Sequence, residues 1–428
     1  MMEDRKAGRI DHETAKQLSV QRAIRPTFHT MISLIHRSEL RDIYDKVGAG
    51  TRITDDDALR LYASRDINAF GAIANVIRER KNGDHAYYIL NRHLNYSNIC
   101  ILDCQFCAFA KRKRDAEAYE YSIEQMVEKV REALTLGITE VHIVGGLHPS
   151  LKFEFYTNML RALKAVDPKL HLKAFTAIEI YHLATLSKRT MPQVLEALRE
   201  AGLDSLPGGG AEIFDAGVRN QICHAKETAD EWLAVHRTWH KMGGRSTCTM
   251  LYGHVETPAH RVDHMRRLRE LQDETGGFTA FVPLPFHPEN TKLAHLQRAT
   301  GFDSLRTLAI ARIYLDNFDH IKAYWIVHGL KLAQVALGFG VDDIDGTVLE
   351  EKIYHMAGAK TPEEQTRETL ERVIREAGRI PVQRDSLYRA IRVGETEKRR
   401  DGEPDDGEAA TAPRPGEAPI LERNLATA

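Results

Sequence analysis

The sequence predicts an α/β fold of the TIM-type (β/α)8 barrel class. Short apolar stretches alternate with amphipathic helical stretches from about residue 86 to residue 350. Strand, helix and strand at this spacing produce right-handed parallel crossovers. Eight such strands favour a closed barrel over an open sheet, and the last of them either completes the barrel or only caps an incomplete one. The strand candidates are 86–96, 139–146, 171–177, 203–208, 245–252, 278–286, 321–327 and 341–347.

The segments on either side of the barrel differ from it in composition. Residues 1–32 show little pattern, and we expect them to form a flexible arm. Helical spacing over 33–85 predicts N-terminal helices that pack on the barrel, with Thr54 as the N-cap of one of them. Residues 351–392 are predicted to form a C-terminal helical segment. Residues 393–428 contain no aromatic side chain and are rich in Glu, Asp, Pro and Ala, which predicts a disordered acidic tail.

Composition excludes several classes of protein. The chain has 428 residues, and its 59 Lys and Arg side chains nearly balance 61 Asp and Glu, for a formal net charge of -2. No broad basic excess is present that would neutralise phosphates, so we expect no nucleic-acid partner. No apolar run approaches the length of about 18 residues that a membrane span needs. The polar N-terminus does not resemble a signal peptide, which favours a cytoplasmic location where cysteines stay reduced.

Three of the five cysteines lie within eight residues of one another. Cys100, Cys104 and Cys107 have the spacing C-x3-C-x2-C, directly after the first predicted barrel strand. A zinc site is one interpretation, but structural zinc sites pair C-x2-C units and no second Cys/His pair lies nearby. Three thiolates instead suit three irons of a four-iron cluster and leave the fourth iron open to a ligand. Cys223 and Cys248 are predicted to be ordinary buried thiols.

This cysteine pattern, with the aromatic Phe106 just before the last cysteine, resembles the radical S-adenosylmethionine (SAM) superfamily. The resemblance implies a radical SAM barrel, a 4Fe–4S cluster held by the three cysteines, and SAM bound as co-substrate through the open iron. Gly145 and Gly146 match a Gly-Gly-acid element that holds the methionine part of SAM. Here Leu147 replaces the acid, so only the backbone contact carries over. A plain turn after a strand would also use two glycines.

Further candidate cofactor contacts follow other predicted strands. Glu179 is either a SAM contact or simply solvated. A run of three glycines is too flexible to be favoured without a ligand or backbone packed close by. The segment TMLYGHVE resembles a superfamily element after the fifth strand, with Glu256 in a structural role. The predicted cofactor-binding residues are therefore Phe106, Gly145, Gly146, Thr176, Glu179, Gly208, Gly209, Glu212 and Tyr252.

Longer strings such as KAFTAIEI, FHPENT and KAYWIVHGLKLAQ resemble the aminofutalosine synthase family of the futalosine route to menaquinone. The resemblance covers roughly residues 35–390. It implies a transferase that adds the 5′-deoxyadenosyl radical of SAM to the enol-ether double bond of 3-(1-carboxyvinyloxy)benzoate. Rearrangement and loss of a carboxylate as carbon dioxide or bicarbonate would then give aminofutalosine. The open alternatives are dehypoxanthine futalosine cyclase, a relative similar to FO synthase, and an iron–sulfur sensor without catalysis.

A dicarboxylate substrate requires a basic or hydrogen-bonding lining. Polar residues at predicted strand ends are the candidates, because barrel sites form at the carboxyl ends of the strands. We expect catalytic roles for His287, His254 and His148, and substrate-binding roles for Asn290 and His328. Lys173, Arg245 and Lys322 lie nearer strand starts and are predicted to be structural. Two pairs with i,i+4 spacing, His236/His240 and His260/His264, lack the Glu of a metalloprotease helix and are predicted to be surface histidines.

The run Lys111–Arg114 follows the cysteine loop directly. Most charge runs are only solvated surface. As a hypothesis, this one docks an acidic electron donor such as a flavodoxin or ferredoxin close to the cluster.

Overall fold

Strands and helices alternate along the computed structural model, which describes residues 35–394. The strands are β1 (His85–Ile89), β2 (Asn91–Leu94), β3 (Glu140–Ile143), β4 (His171–Ala174), β5 (Ser205–Leu206), β6 (Arg245–Tyr252), β7 (Phe278–Pro285), β8 (Asp343–Gly346), β9 (Ile380–Arg384) and β10 (Ala390–Val393). Strands β2 to β7 form one sheet in sequential order, and every neighbouring pair is parallel. Repeated strand–helix units produce this order, so the predicted parallel α/β architecture is confirmed.

Two isolated bridges connect the last strand of this sheet to a second sheet, whose order is β10-β9-β1-β8. Phe281 in β7 bridges Ile321, and Lys322 bridges Asp343 in β8. Strand β8 pairs in parallel with β1, which leads almost directly into β2. The strand path of the predicted TIM-type barrel is therefore present. Six of its strands form a continuous sheet, and short bridges make the connection from β7 to β8.

Helices fill the connections between strands. Within residues 35–394 the helices are α1 (Arg41–Gly48), α2 (Asp55–Ala63), α3 (Ile67–Asn82), α4 (Ile123–Leu134), α5 (Phe153–Val166), α6 (Ala177–Ser187), α7 (Met191–Ala201), α8 (Ala216–Cys223), α9 (Ala229–Lys241), α10 (Pro258–Thr275), α11 (Gly301–Tyr314), α12 (Trp325–His328), α13 (Leu330–Ala336), α14 (Ile353–Met356) and α15 (Arg367–Glu376). Thr54 is the N-cap of α2, in a capping box with Asp57. Helix α2 packs on α10 and α3 packs on α11, so N-terminal helices cover helices of the barrel.

The predicted strand at 321–327 is wrong over most of its length. Only Ile321 and Lys322 make strand-like bridges, and α12 begins at Trp325. The indole Nε1 of Trp325 donates a hydrogen bond of 2.8 Å to the backbone oxygen of Gly346. A short, fully buried apolar run does not distinguish strand from helix by its periodicity, which explains the error.

The predicted C-terminal helical segment at 351–392 is only partly helical. After α14 and α15 the chain forms β9, which pairs in parallel with β1, and β10, which pairs antiparallel with β9. The buried Arg384 of β9 donates to Asp343 Oδ2 at 2.6 Å, and this ion pair attaches the segment to the barrel. A strand that depends on a partner distant in sequence leaves little local signal.

The predicted arm at 1–32 lies outside the described residues. The predicted tail at 393–428 does as well, except that Val393 belongs to β10 and Gly394 follows it. Among residues 35–394, none of the helices combines the length and the apolar character that crossing a bilayer requires.

Candidate active site

Cys100, Cys104 and Cys107 lie on one loop that follows β2, and all three are half-buried, unpaired thiols. Two of the sulfur atoms accept backbone hydrogen bonds. The amide of Leu102 lies 3.4 Å from Cys100 Sγ, and the amide of Ala110 lies 3.4 Å from Cys107 Sγ. Backbone donors of this kind stabilise negative charge on a thiolate.

Three thiols on one loop match the ligand set of a four-iron cluster with one open iron. Within residues 35–394, no three His, Cys, Asp or Glu side chains converge as the ligands of one metal ion do. Each thiolate ligand of a four-iron cluster binds its own iron, so convergence on one point is not required. A structural zinc site instead needs four ligands around one centre.

Backbone hydrogen bonds attach the cysteine loop to loops that follow other strands. The amide of Ile101 donates to the backbone oxygen of Leu147 at 3.0 Å, after β3. The amide of Gln105 donates to the backbone oxygen of Ile222 at 2.8 Å, in α8. The guanidinium of Arg112 donates to the backbone oxygen of Cys100 at 2.6 Å. The cysteine loop therefore contacts both the predicted Gly-Gly loop after β3 and helix α8, which follows β5.

Gly145 and Gly146 are required by contacts within the protein. A Cβ atom on Gly145 would lie 2.5 Å from the ring of Tyr96, and one on Gly146 would lie 2.3 Å from the backbone oxygen of Ile99. The amide of Gly146 donates to the backbone oxygen of Ser97 at 2.8 Å. The missing side chains thus allow the β3 loop to lie directly against the segment that leads to Cys100.

Glu179 is a buried carboxylate whose two oxygens are both occupied by protein donors. Oε1 accepts from the Tyr96 hydroxyl at 2.8 Å and from the amide of Gly145 at 3.1 Å. Oε2 accepts from the amide and the hydroxyl of Thr176 at 2.8 and 2.7 Å. Burial raises the pKa of Glu179 in spite of these donors. Thr176 and Glu179 therefore join the Gly145 loop to α6.

Gly208 and Gly209 also face protein atoms. A Cβ atom on Gly208 would lie 2.4 Å from the backbone of Cys248, and one on Gly209 would lie 2.9 Å from Thr176 Cγ2. Glu212, which follows them, has a positive φ of 45° and forms an ion pair with Lys226. These contacts place Glu212 in a tight turn rather than on an open surface.

Lys226 is a site residue that the sequence analysis missed. Its ammonium lies 5.5 Å from the centre of the Phe106 ring, beside the cysteine loop. Burial disfavours its charge, but the carboxylates of Glu212 and Glu227 outweigh this effect and raise the pKa of Lys226. No local pattern distinguishes this lysine in the sequence, because only the fold brings the α8–α9 connection to Phe106.

His148 and His254 are each held by groups of the protein. His148 Nδ1 accepts from the amides of Ser150 and Leu151, at 3.2 and 3.0 Å, and Nε2 lies 2.8 Å from Glu120 Oε2. His254 is enclosed, with Nε2 3.1 Å from the backbone oxygen of Leu251 and Nδ1 3.1 Å from Glu256 Oε2. Burial lowers the pKa of both imidazoles. Both histidines therefore hold their loops in place through contacts within the protein.

Three other candidates lie near one another beyond β6 and β7. The Tyr252 hydroxyl donates to Ser304 Oγ at 2.9 Å and lies 3.4 Å from His328 Nε2. His287 Nε2 lies 3.0 Å from the backbone oxygen of Val327, which can only accept, so Nε2 carries the proton. The buried Nδ1 of His287 has no partner within the described residues. His287, His328 and Tyr252 therefore form one polar group.

Asn290 contacts a different part of the chain from that polar group. It has a positive φ of 63°, and its side-chain amide donates to the backbone oxygen of Met356 at 3.0 Å. Its amide nitrogen therefore connects the loop after β7 to the loop after β8.

Comparison with known proteins identifies the family. A model described as the radical SAM superfamily matches residues 94–268, and a model described as the CofH/MqnC C-terminal region matches residues 275–396. The aminodeoxyfutalosine synthase of Thermus thermophilus is 47% identical over 84% of this chain and 98% of its own length. The chain belongs to the radical SAM superfamily.

Other relatives lie within the same superfamily. The aminodeoxyfutalosine synthase of Streptomyces coelicolor is 44% identical and covers 82% of this chain and 94% of its own length. A 5-amino-6-(D-ribitylamino)uracil–L-tyrosine 4-hydroxyphenyl transferase of Methanothermobacter thermautotrophicus is 43% identical, over 79% of this chain and 94% of its own. The chain is thus a radical SAM enzyme similar to the synthases of the futalosine menaquinone pathway, as predicted.

Solved structures agree on the fold. Methylornithine synthase superposes with a TM-score of 0.66 at 16% identity, over 80% of this chain and 97% of its own. The FeFe-hydrogenase maturase HydG of Carboxydothermus hydrogenoformans gives a TM-score of 0.65 at 14% identity, over 89% and 87%. Membership of the radical SAM superfamily implies a 4Fe–4S cluster and SAM, which agrees with the predicted cofactors.

Proposed function

We propose that this radical SAM enzyme transfers the 5′-deoxyadenosyl group of SAM to 3-(1-carboxyvinyloxy)benzoate and so forms aminodeoxyfutalosine (aminofutalosine). Methionine and carbon dioxide or bicarbonate are the other products. The observation that carries the proposal is the 47% identity with the Thermus synthase across 98% of that protein's length.

The proposed cluster ligands are Cys100, Cys104 and Cys107, with the fourth iron open to SAM. The three unpaired thiols on one loop and the amide donors at Cys100 and Cys107 support this assignment. When bound, the cluster and SAM supply a 5′-deoxyadenosyl radical. The protein contributes orientation and a site from which water is excluded.

The chain's own residues would act mainly by position. Glu179 holds the Gly145 loop against α6, and Lys226 places a positive charge beside Phe106. His287 presents an unprotonated Nδ1 that is available to accept a hydrogen bond. Burial lowers the pKa of His287 and lowers that of His328 to about 4, so both imidazoles are neutral near pH 7. We assign them to polar contacts with substrate or SAM rather than to charge pairing.

The electron donor is proposed to be an acidic flavodoxin or ferredoxin. Lys113 and Arg114 are exposed next to the cysteine loop and support this proposal. Lys111 pairs with Glu117, and Arg112 donates to the backbone of Cys100, so these two residues have roles within the protein.

The test is an anaerobic reaction of the reconstituted protein with SAM, dithionite and 3-(1-carboxyvinyloxy)benzoate, analysed by mass spectrometry. The proposal predicts a product that carries the adenosyl group, together with methionine. Free 5′-deoxyadenosine as the sole nucleoside product would contradict radical addition.

Two other relatives define two further candidate functions. The tyrosine 4-hydroxyphenyl transferase at 43% identity lies close behind the synthases, and the cyclic dehypoxanthine futalosine synthase of Streptomyces coelicolor is 37% identical. The same reaction mixture is therefore run in parallel with tyrosine plus 5-amino-6-(D-ribitylamino)uracil, and with dehypoxanthine futalosine. Turnover of either set, without turnover of 3-(1-carboxyvinyloxy)benzoate, would replace the proposed function.

A further inference from the structure

One layer of side chains inside the barrel is polar where such layers are ordinarily branched and apolar. His93, His142 and Lys173 are neighbours in register on β2, β3 and β4. Neighbours in register project to the same face of a sheet. On β3, Val141 and Ile143 are fully buried in the apolar core, so the alternate residues, His142 among them, face the opposite side. The layer therefore faces the barrel interior.

Two buried lysines, Lys173 and Lys322, differ in the distance from the ammonium to its carboxylate partner. Lys173 Nζ lies 2.6 Å from the buried Glu140 Oε2, which makes a closed ion pair. Within residues 35–394, the one carboxylate within ion-pair distance of Lys322 Nζ is Asp345, at 3.3 Å. An ammonium has three donors, so Lys322 keeps donors available for a ligand.

The two imidazoles of this layer have no hydrogen-bond partner within the described residues. His93 and His142 stack with ring centres 4.7 Å apart and planes 19° apart. Both residues are half-buried, so part of each side chain borders space rather than packed atoms. Burial lowers the pKa of both, which keeps them neutral, and each neutral ring carries one N–H donor. Polar groups inside a protein are ordinarily paired, so unpaired ones indicate a ligand.

Aromatic rings connect this layer to the polar group at His287. His93 stacks on Tyr324 at 6.0 Å, Tyr324 meets Tyr354 edge-on at 6.5 Å, and Tyr354 meets His287 edge-on at 5.3 Å. The buried hydroxyl of Tyr324 also lacks a partner within the described residues. These rings form an aromatic surface against which a planar aromatic ligand can pack, and the charge of Lys322 acts on His93 at one end of the row.

We propose that Lys322, His93 and His142 bind the benzoate carboxylate of the substrate, with its ring against Tyr324. This inference rests on the proposed function and adds the orientation of the substrate, whose benzoate end lies deepest in the barrel. Lys322 was expected from the sequence to be structural. It has a single ion-pair partner, and its positive charge lies close enough to His93 and His142 to contribute to lowering the pKa of both imidazoles, which argues for a binding role instead. The ammonium and the imidazole N–H groups supply the charge-assisted hydrogen bonds that a carboxylate needs.

The test is equilibrium binding by calorimetry, with protein that carries its reconstituted cluster. The probes are 3-(1-carboxyvinyloxy)benzoate and its methyl ester at the benzoate carboxylate. The wild-type protein is expected to bind the ester about tenfold or more weakly, because a charge-assisted hydrogen bond is lost. Equal affinities for acid and ester would overturn the inference, and this arm depends on no variant.

Variants provide the second arm. Lys322→Gln and His142→Phe are expected to weaken binding of the acid by about tenfold, with SAM affinity and iron content unchanged. Lys331→Gln, which removes an exposed lysine from α13, is the matched control. Binding by Lys322→Gln as tight as that of the control would overturn the inference. The proposed function is tested separately, by detecting the adenosylated product that the wild-type enzyme forms. Failure of the proposed function and failure of this inference are therefore distinguishable.

Discussion

Single residues near the cysteine loop act mostly by holding the loops of the site together. Glu179 is the clearest case, because four protein donors converge on its two buried oxygens. Glu179→Gln would turn an amide NH2 towards two of these donors. We expect the free energy of unfolding to fall by about 1–3 kcal/mol, the cost of leaving buried polar groups unpaired. Guanidinium denaturation measures this change.

The control for that variant is Glu200→Gln, an exposed acid at the end of α7. It should leave the unfolding free energy nearly unchanged, since substitutions at exposed sites have effects within about 0.5 kcal/mol. Equal unfolding free energies for Glu179→Gln and Glu200→Gln would show that the hydrogen bonds of Glu179 do not stabilise the fold.

Residue types and spacings predicted the cysteine loop but not the surroundings of individual polar side chains. Cys223 and Cys248 are buried as predicted. The prediction of surface histidines was wrong for His236, His240 and His264, which are all buried. Each of them bonds a group from another part of the chain; His264, for example, lies 2.9 Å from the backbone oxygen of Thr249. A helical histidine gives no local sign of such a partner.

The loops after β2 and β3 act as one element, because Gly146 lies against the backbone before Cys100. In Gly146→Ala, the new Cβ atom would lie 2.3 Å from the backbone oxygen of Ile99. Backbone cannot rotate away as a side chain does, so the cysteine loop must shift. We expect a stability loss of about 1–3 kcal/mol and a lower iron content after reconstitution, measured by iron and sulfide analysis.

Gly48→Ala is the matched control, since a Cβ atom at Gly48 would meet no atom within 4 Å. It should keep full iron content. A Gly146→Ala protein with the same iron content and stability as this control would refute the role of close packing in positioning Cys100.

In the segment after β8, the half-buried His355 of α14 forms an ion pair with the buried Glu351 four residues earlier. His355 Nδ1 lies 2.8 Å from Glu351 Oε2, and Nε2 lies 2.7 Å from the backbone oxygen of Thr361. The hydrogen bond that His355 donates to the Glu351 carboxylate raises the pKa of His355 to about 9, from 6.5. A raised pKa in the folded state means that this stability is fully present below pH 6.5 and is lost as the pH rises through about 9.

We therefore expect the melting temperature of His355→Gln to fall furthest below that of the wild type at pH 6, and the difference to narrow as the pH passes about 9. Thermal melts of both proteins across this range measure the difference. The exposed His295→Gln variant should show no such trend. A difference that stays constant with pH would contradict the assigned pKa.

At the scale of the whole molecule, the proposed electron donor docks next to the cysteine loop. The double variant Lys113→Glu, Arg114→Glu should slow reduction by an acidic flavodoxin or ferredoxin by about tenfold at low salt, because complementary charge steers encounter. Turnover driven by dithionite should stay unchanged. The comparison is made with Lys169→Glu, Lys331→Glu, which reverses charge at exposed sites elsewhere. An equal effect of both double variants on donor reduction would refute the docking site.

The overall architecture was predictable where strand and helix alternate with a strong pattern. The predicted strands at 245–252 and 278–286 match β6 and β7 closely. The closing elements were not predictable, because β9 depends on pairing with β1, almost 300 residues earlier in the chain. In the candidate site, too, local patterns were predictable and contacts between distant segments were not. The cysteine spacing is local and was recognised, whereas Lys226 and the His93–His142 layer result from contacts between distant segments.

The most direct test of adenosyl transfer traces the carbon atoms of the adenosyl group of SAM. The wild-type enzyme is supplied with SAM that carries carbon-13 in its adenosyl group, dithionite and 3-(1-carboxyvinyloxy)benzoate, under anaerobic conditions. We expect the label to appear in aminodeoxyfutalosine, in equal amount to the methionine released, and we expect Cys104→Ala to form neither product. Label found only in free 5′-deoxyadenosine would contradict adenosyl transfer.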